Sequence, residues 1–316
     1  GVAPYIARRL LVTGLTVWVI VSLVFLLLRL APGDVVQVLL AEGGASPELI
    51  QTRRRALGLD QPLVVQYGRW LGQLIRLDLG TSLATQRPIG PDIARALPRS
   101  LELVATALGM GLALGIPAGI LAATRRGRRE DLIVSFVSMG GLSVPNFVSA
   151  TLLLLCFGLL LRWFPTAGYV SFWESPATHL RFLVLPTVTL GVTLAAIAAR
   201  FTRSAMLEVL GQDYIRTAHA KGLAQQYVRY RHALRNAIIP VVTIIGVESG
   251  SLLGGTVIVE YVFNWPGMST LLIQGASRRD YPMVQAVVLA VASLFLALNL
   301  VVDVINAYID PRIHYS

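Results

Sequence analysis

Residues 213–240 read DYIRTAHAKGLAQQYVRYRHALRNAIIP. This basic, helix-forming stretch sits between two apolar runs, 182–199 and 237–259, each of about the length needed to cross hydrocarbon. Working outward, similar runs stand at 10–28, 103–124, 132–161 and 283–302. With 55% of its residues hydrophobic and 14% charged, the chain reads as an integral membrane protein, and the runs predict an all-α fold of about six transmembrane helices. The run at 132–161 is overlong and contains Pro145, which predicts a kink or a tilted helix. The run at 10–28 is too long for a signal-peptide core and lacks a small-x-small cleavage pattern, so it is read as a retained span.

Arginine sets the expected orientation. Short loops rich in Lys and Arg stay in the cytoplasm, and Arg125, Arg126, Arg128 and Arg129 form the clearest such loop. Alternating the spans from there puts Arg8, Arg9, the 213–235 segment and the C-terminal tail on the same side, so both termini are expected in the cytoplasm. Residues 31–100 then form an extracytoplasmic segment despite Arg53, Arg54 and Arg55, because long loops translocate largely regardless of charge. The net charge of +10 follows from this topology. Its arginine clusters fall at membrane boundaries without a nucleic-acid motif, so no nucleic-acid partner is expected.

Cys156 stands alone inside a span, which leaves the outer segment to fold without disulfides. Ser46 suits an N-cap with Pro47 at the first helical position, the helix should run to about Leu57, and Gly58 suits its stop. A second helix is expected after Asp60, with Val64, Trp70, Leu71 and Leu74 to bury. The segment serves either as a spacer capping the bundle or as a docking site.

Within the spans, Gly111, Gly115 and Gly119 fall four apart, as do Gly246, Gly250 and Gly254, giving each helix a strip on which another backbone can lie closely. Glu248 is the acidic residue expected deep inside a span, where a charge costs roughly 3 kcal/mol on insertion scales. With Ser249 and Ser251 it marks a hydrated translocation path, or else it is protonated or hydrogen-bonded to a neighbouring helix. Glu260 and Asp303 are placed near opposite membrane boundaries. Ser143 and Asn146, beside the broken backbone at Pro145, are further path candidates.

The 213–240 stretch divides into two short helices. Asp213 caps the first, Tyr214 to Lys221 continue it, and Gly222 occupies the left-handed stop position. The second is expected from about Gln225 to Asn236. Ala218, His219 and Ala220 give the first helix a narrow surface that fits a groove on a partner, with Arg216 and Lys221 at its edge. The competing reading is a basic helix lying on anionic lipid, against which stands the lack of a continuous apolar face.

RTAHAKGL at 216–223 followed by RHALRNAIIPVVT at 231–243 resembles the EAA loop of ABC-type importer permeases, in the form used by the dipeptide, oligopeptide and nickel branch. LDLGTSL at 77–83, SVPNF at 143–147, VEYVFNWPGM at 259–268, RDYPMVQ at 279–285 and DPRIHY at 310–315 are similar to stretches of that family in the same order, so the resemblance spans essentially the whole chain. It implies a type I importer fold and a permease of a prokaryotic inner membrane. Its partners would be a second homologous permease subunit, two cytoplasmic ATPase subunits that bind ATP and Mg, an extracytoplasmic substrate-binding protein and membrane lipid. Carried over, the ATPase-docking residues are Arg216, Thr217, Ala218, His219, Ala220, Lys221, Gly222 and Leu234. Ala218 matches the second alanine of the general pattern, Gly222 its glycine and Leu234 its later leucine. Arg216, Thr217 and Arg235 replace the pattern's glutamate, first alanine and proline, as in the peptide branch. His219 and His314 stand where that branch often has arginine.

The resulting organisation is a first helix at 1–30, an outer segment at 31–100, a five-helix core at 101–306 with its loop at 201–236, and a tail at 307–316. No cofactor is expected in the chain itself. A Walker A loop needs Lys followed by Ser or Thr, and the sole lysine, Lys221, precedes Gly222. No metal-ligand cluster or nucleophile–base spacing suggests an enzyme. Alternatives are a stand-alone secondary transporter or channel using Glu248, a membrane-anchored scaffold, and, within the family, import of nickel or glutathione instead of peptides.

Overall fold

The computed structural model describes residues 2–30, 47–56 and 58–309. Ser46, Leu57 and the tail from Asp310, including His314, lie outside the described residues, as does the side chain of His219. The elements are helices α1 (Val2–Leu30), α2 (Pro47–Ala56), α3 (Leu63–Ile75), α4 (Gly90–Thr124), α5 (Arg129–Ser143), α6 (Asn146–Leu160), α7 (Pro176–Leu210), α8 (Asp213–Ala220), α9 (Gln225–Val262), α10 (Met268–Ser277) and α11 (Tyr281–Ile309). Five of these are long and apolar enough to span a membrane, and α5 with α6 makes a sixth if that bent pair is one span. The fold is therefore the expected all-α membrane protein.

The break at Pro145 is sharper than a kink. The axes of α5 and α6 differ by 100°, with Val144 and Pro145 both extended between them. Proline disfavours the helical conformation in the residue before it, and here Val144 is extended, so the helix breaks rather than bends. The last two turns of α6, Leu154–Leu160, are wound as a π-helix.

The chain packs as two units, each discontinuous in sequence. One comprises Gly1–Tyr5, Ser100–Pro266 and Ala297–Ser316. Its axis is α7, which buries Leu183, Leu190, Leu194, Ala198 and Met206. Pro186 lies inside α7 and Pro240 inside α9 without ending either helix. Gly111, Gly115 and Gly119 of α4 lie directly on α7. A Cβ on Gly115 or Gly119 would come within 2.5 Å of the carbonyl oxygen of Ala195 or Ala199. The first glycine strip is thus a backbone contact, as its spacing predicts. The second is not one continuous contact: Gly246 and Gly250 are buried, but Gly254 is exposed with open space around it.

Polar pairs tie the same unit. Thr106 of α4 and Thr187 of α7 share a 2.9 Å hydrogen bond. Nε2 of His179, a side chain 1% exposed, lies 2.7 Å from Oε1 of Glu102, and its Nδ1 lies 2.7 Å from the Val170 carbonyl. The hydroxyl of Ser100 donates to Glu260 at 2.5 Å, and Glu260 is fully buried. Glu260, expected near a membrane boundary from its place at the end of an apolar run, is thus enclosed by protein.

The other unit comprises Ile6–Arg99 and Gly267–Leu296. Ile89, Ile93 and Ala96 pack with Met268, Met283, Ala286 and Val287. Asp280 closes the loop before α4, accepting from the Ser82 hydroxyl and from the Leu83 amide at 3.0 Å. Both helices expected within 31–100 form, α2 at Pro47–Ala56 and α3 at Leu63–Ile75, with Gly58 at φ +67° after α2. Trp70 is half-buried against Phe25 of α1 at 5.3 Å between rings. Val64, expected to be buried, is 82% exposed.

The glycine contact yields a test. Gly115→Val or Gly119→Val should lower stability by about 1–3 kcal/mol through overpacking, whereas Gly254→Ala should be neutral in the isolated chain. Thermal unfolding in detergent reads both.

Candidate coupling surface and translocation path

The segment between α7 and the apolar part of α9 is organised by burial. Gln212 supplies the carbonyl that receives the Ile215 and Arg216 amides, so it occupies the cap position expected of Asp213. Asp213 sits in the first turn, where its charge complements the helix dipole, and its carboxylate lies 3.4 Å from Arg216 Nη1. Thr217 returns its hydroxyl to the Asp213 carbonyl at 3.0 Å. Gly222 adopts φ +76°, the left-handed stop predicted for it.

The second short helix expected at 225–236 is not separate. Helical winding runs unbroken from Gln225 to Val262, with Val228–Ala233 wound as a π-helix. The wider turn has a packing consequence. Val228 and Ala233 are five apart and both fully buried, and Ala237, Val241 and Ile245 continue the same inward line at four-residue steps. A uniform α-helix would turn one of the first two residues aside.

Ala218 joins this line. It is 8% exposed and packs in one apolar cluster with Ile215, Val228, Ala233 and Ala237, against which Leu234 also lies. The narrow surface expected from Ala218, His219 and Ala220 is accordingly corrected: Ala218 faces the chain's own core, while Ala220 is exposed. The outward face consists of Arg216, Thr217, Ala220, Lys221 and Gly222, joined by Tyr214, Leu223, Tyr227 and Tyr230 at 38–58% exposure. The tyrosines were the missed part of this surface. Their signal was present in the sequence, since Tyr227 and Tyr230 fall one turn apart on a helix whose other face is apolar. Asn236 ties the two halves together, donating to the Tyr214 hydroxyl at 2.9 Å.

Beside this loop, Asp131 of α5 pins α7. It accepts from Arg203 Nε at 2.6 Å and Nη2 at 2.9 Å, and from the Gly127 amide at 2.9 Å. Its side chain is 5% exposed. The bidentate geometry and the backbone donor satisfy a carboxylate that burial would otherwise make costly.

The path candidates divide. Asn146 lies where three helices meet: its Oδ1 accepts from Thr193 of α7 at 3.0 Å, and its Nδ2 is 3.5 Å from where a Cβ on Gly255 of α9 would stand. Glu248, Ser251 and Gly255 share one face of α9 by their spacing of three and four, so Asn146 meets the end of the Glu248 stripe. Glu248 is half-buried, and its carboxylate accepts from Ser251 at 3.0 Å. Ser249 is turned away, buried and donating to the Gly246 carbonyl at 2.7 Å. Ser143 is exposed at the end of α5 and donates to the Met139 carbonyl at 2.7 Å.

Residues 115–315 match the family described as the binding-protein-dependent transport system inner membrane component, and residues 2–104 match the corresponding N-terminal family. The chain belongs to this permease family. It is 43% identical over 298 residues to a Brucella suis permease named for a peptide transport system, covering 94% of this chain and 95% of that one. It is 40% identical over 312 residues to the glutathione transport system permease protein GsiC of Escherichia coli (strain K12), covering 99% of both. Its fold is shared with a chain of the inward-facing MetNI methionine ABC transporter, at a TM-score of 0.57 and 17% identity over 70% of this chain and 98% of that one. The permease is thus a multi-pass inner-membrane subunit of the ABC importer class.

Two outcomes are expected of the permease. Ala218→Leu should overpack the cluster and cost about 1–3 kcal/mol, whereas Ala220→Leu should be tolerated. Arg203→Gln should cost about 3 kcal/mol by leaving Asp131 buried and uncompensated, and adding Asp131→Asn should recover part of that loss. Unfolding in detergent micelles measures each pair against the parent.

Proposed function

We propose that this permease imports peptides or peptide-like solutes, forms half of a translocation path with a second homologous permease subunit, and is driven through the α8–α9 segment by two cytoplasmic ATPase subunits. An extracytoplasmic binding protein delivers the solute, and both termini lie in the cytoplasm. Supporting the substrate class are relatives named for peptide and for glutathione transport, glutathione being itself a short peptide. The observation that carries the coupling role is continuity. The outward face of Arg216, Lys221 and the tyrosines is rooted through Ala218 and Val228 in the same apolar line that runs into α9.

A push on that face moves α9 as a body. The far end of the lever bears the Glu248–Ser251 stripe and meets Asn146, so rearrangement at the loop reaches the polar groups proposed to face the path. ATP and Mg act in the partner subunits, and the permease itself contributes no nucleotide site in this scheme.

The left-handed turn offers the cleanest test. Gly222→Val forces a branched side chain into a conformation that L-residues rarely adopt, at an exposed position where a Cβ meets nothing within 4 Å. The variant should insert normally but lose at least about tenfold in ATP-dependent uptake in vesicles reconstituted with its ATPase partners, a change worth about 1.4 kcal/mol. A hydrolysis-dead ATPase should abolish uptake in the parent complex. Normal uptake by Gly222→Val would refute the docking role. Flux that persists without ATPase but is lost in Glu248→Gln would indicate a secondary transporter.

A further inference from the structure

Within the unit of Ile6–Arg99 and Gly267–Leu296, a cavity of about 170 Å³ lies at the last turn of α1. Its wall includes Arg29, Arg69, Thr81, Tyr281 and Gln285, and neither Asp nor Glu among the described residues. Two of these carry donors without a partner. Nη1 of Arg29 and Nε2 of Gln285 are buried and make no hydrogen bond, and Gln285 is only 2% exposed. Buried donors left unmade bear their full desolvation penalty, and two on one cavity wall indicate a missing acceptor.

The surroundings hold these donors in place. Arg29 Nε donates to Gln66 Oε1 at 2.9 Å, and Gln66 is itself fixed by donating to the Gln61 carbonyl at 2.8 Å. The face of the Arg29 guanidinium lies 3.8 Å from the centre of the Phe25 ring, which stacks on Trp70. One edge and one face are thereby committed, and Nη1 is left over. Arg69 depends on a glycine for its place. A Cβ on Gly58 would collide with Arg69 Nη1, and Gly58 sits at φ +67°, where a side chain is already disfavoured.

A cavity walled by two guanidiniums and an orphaned amide, with no acid among the described residues that line it, selects an oxyanion. Its position narrows the source. Arg29 is the penultimate residue of the Leu10–Leu30 span, which puts the cavity at a membrane boundary, where lipid phosphates lie and where basic pockets bind head groups. We propose that this cavity binds the phosphate of an anionic phospholipid headgroup, with Arg29, Arg69 and Gln285 donating to its oxygens. A free phosphate ion offers the same chemistry from solution.

The test uses the full chain in its purified transporter complex, delipidated in detergent and then supplied with phosphatidylglycerol, phosphatidylcholine or inorganic phosphate. Phosphatidylglycerol should be retained at least tenfold better than phosphatidylcholine by native mass spectrometry and should raise the thermal midpoint. Arg29→Gln and Gln285→Leu should each weaken that retention at least tenfold and remove the lipid-dependent rise, while Arg76→Gln, at an exposed position outside the cavity wall, should change neither. Gln285→Leu removes an unsatisfied donor and so should fold at least as well as the parent without lipid, which keeps the test decisive if Arg29→Gln folds poorly. Equal retention of the two lipids overturns the proposal, as does retention unaffected by Gln285→Leu. A rise with inorganic phosphate but none with lipid overturns the lipid source.

Discussion

The packing of the permease core depends on how closely two backbones approach. Between helices in hydrocarbon there is no hydrophobic drive, and association rests on dispersion and hydrogen bonds that fall away within about an ångström of separation. Gly111, Gly115 and Gly119 remove the side chains that would keep α4 from α7, and the carbonyls of Ala195 and Ala199 occupy the space a Cβ would take. At that spacing the short polar groups on the same two helices come into reach, so Thr106 meets Thr187 and Glu102 meets His179. Larger residues at the glycine positions would break those bonds without touching them.

The buried acids follow one rule. Asp131 is matched by Arg203 and a backbone amide, Asp280 by Ser82 and a backbone amide, and Glu260 by Ser100. Each is bonded to a group from another helix or loop, which makes it a fixed joint, since leaving either partner buried and unpaired is costly. Glu248 differs in kind. Its carboxylate is half-buried and bonded to Ser251 on its own helix, one turn away, so among the described residues it ties no second element, as the proposed path role requires.

How much of this was legible depended on the length scale of the signal. Spans were readable because hydropathy averages over about twenty residues, and the stops at Gly58 and Gly222 because a left-handed residue is a local requirement that glycine meets. Pro145 marked where the chain breaks, but no local pattern there gives the 100° between α5 and α6. The separate helix expected at 225–236 was an error of a definite kind. Polarity marks a boundary of burial, whereas backbone winding continues wherever its hydrogen bonds do. The pairs His179–Glu102 and Ser100–Glu260 join residues far apart in sequence, and no local pattern announces them. Ala218 was ambiguous by nature. A small residue suits both a close external contact and a tight internal one, and only the position of Val228 and Ala237 decides between them.

That decision changes how the loop can work. If Ala218 lay outward, the first loop helix would be a surface patch able to tilt on its own, and force applied there would dissipate in the turn at Gly222. With Ala218 inward, tilting α8 alone would open cavities against Val228, Ala233 and Ala237, each destabilising by an amount that grows with its volume. Moving α8 and α9 together opens none. The lower-energy response to a load on Arg216, Lys221 or the exposed tyrosines is therefore displacement of the whole α8–α9 body. Because α9 continues without a break past Pro240 to Val262, that displacement reaches the Glu248 face and the contact between Gly255 and Asn146. Under the proposed coupling role, the outer surface would choose the partner, and the buried alanine line would determine how far the partner's motion travels.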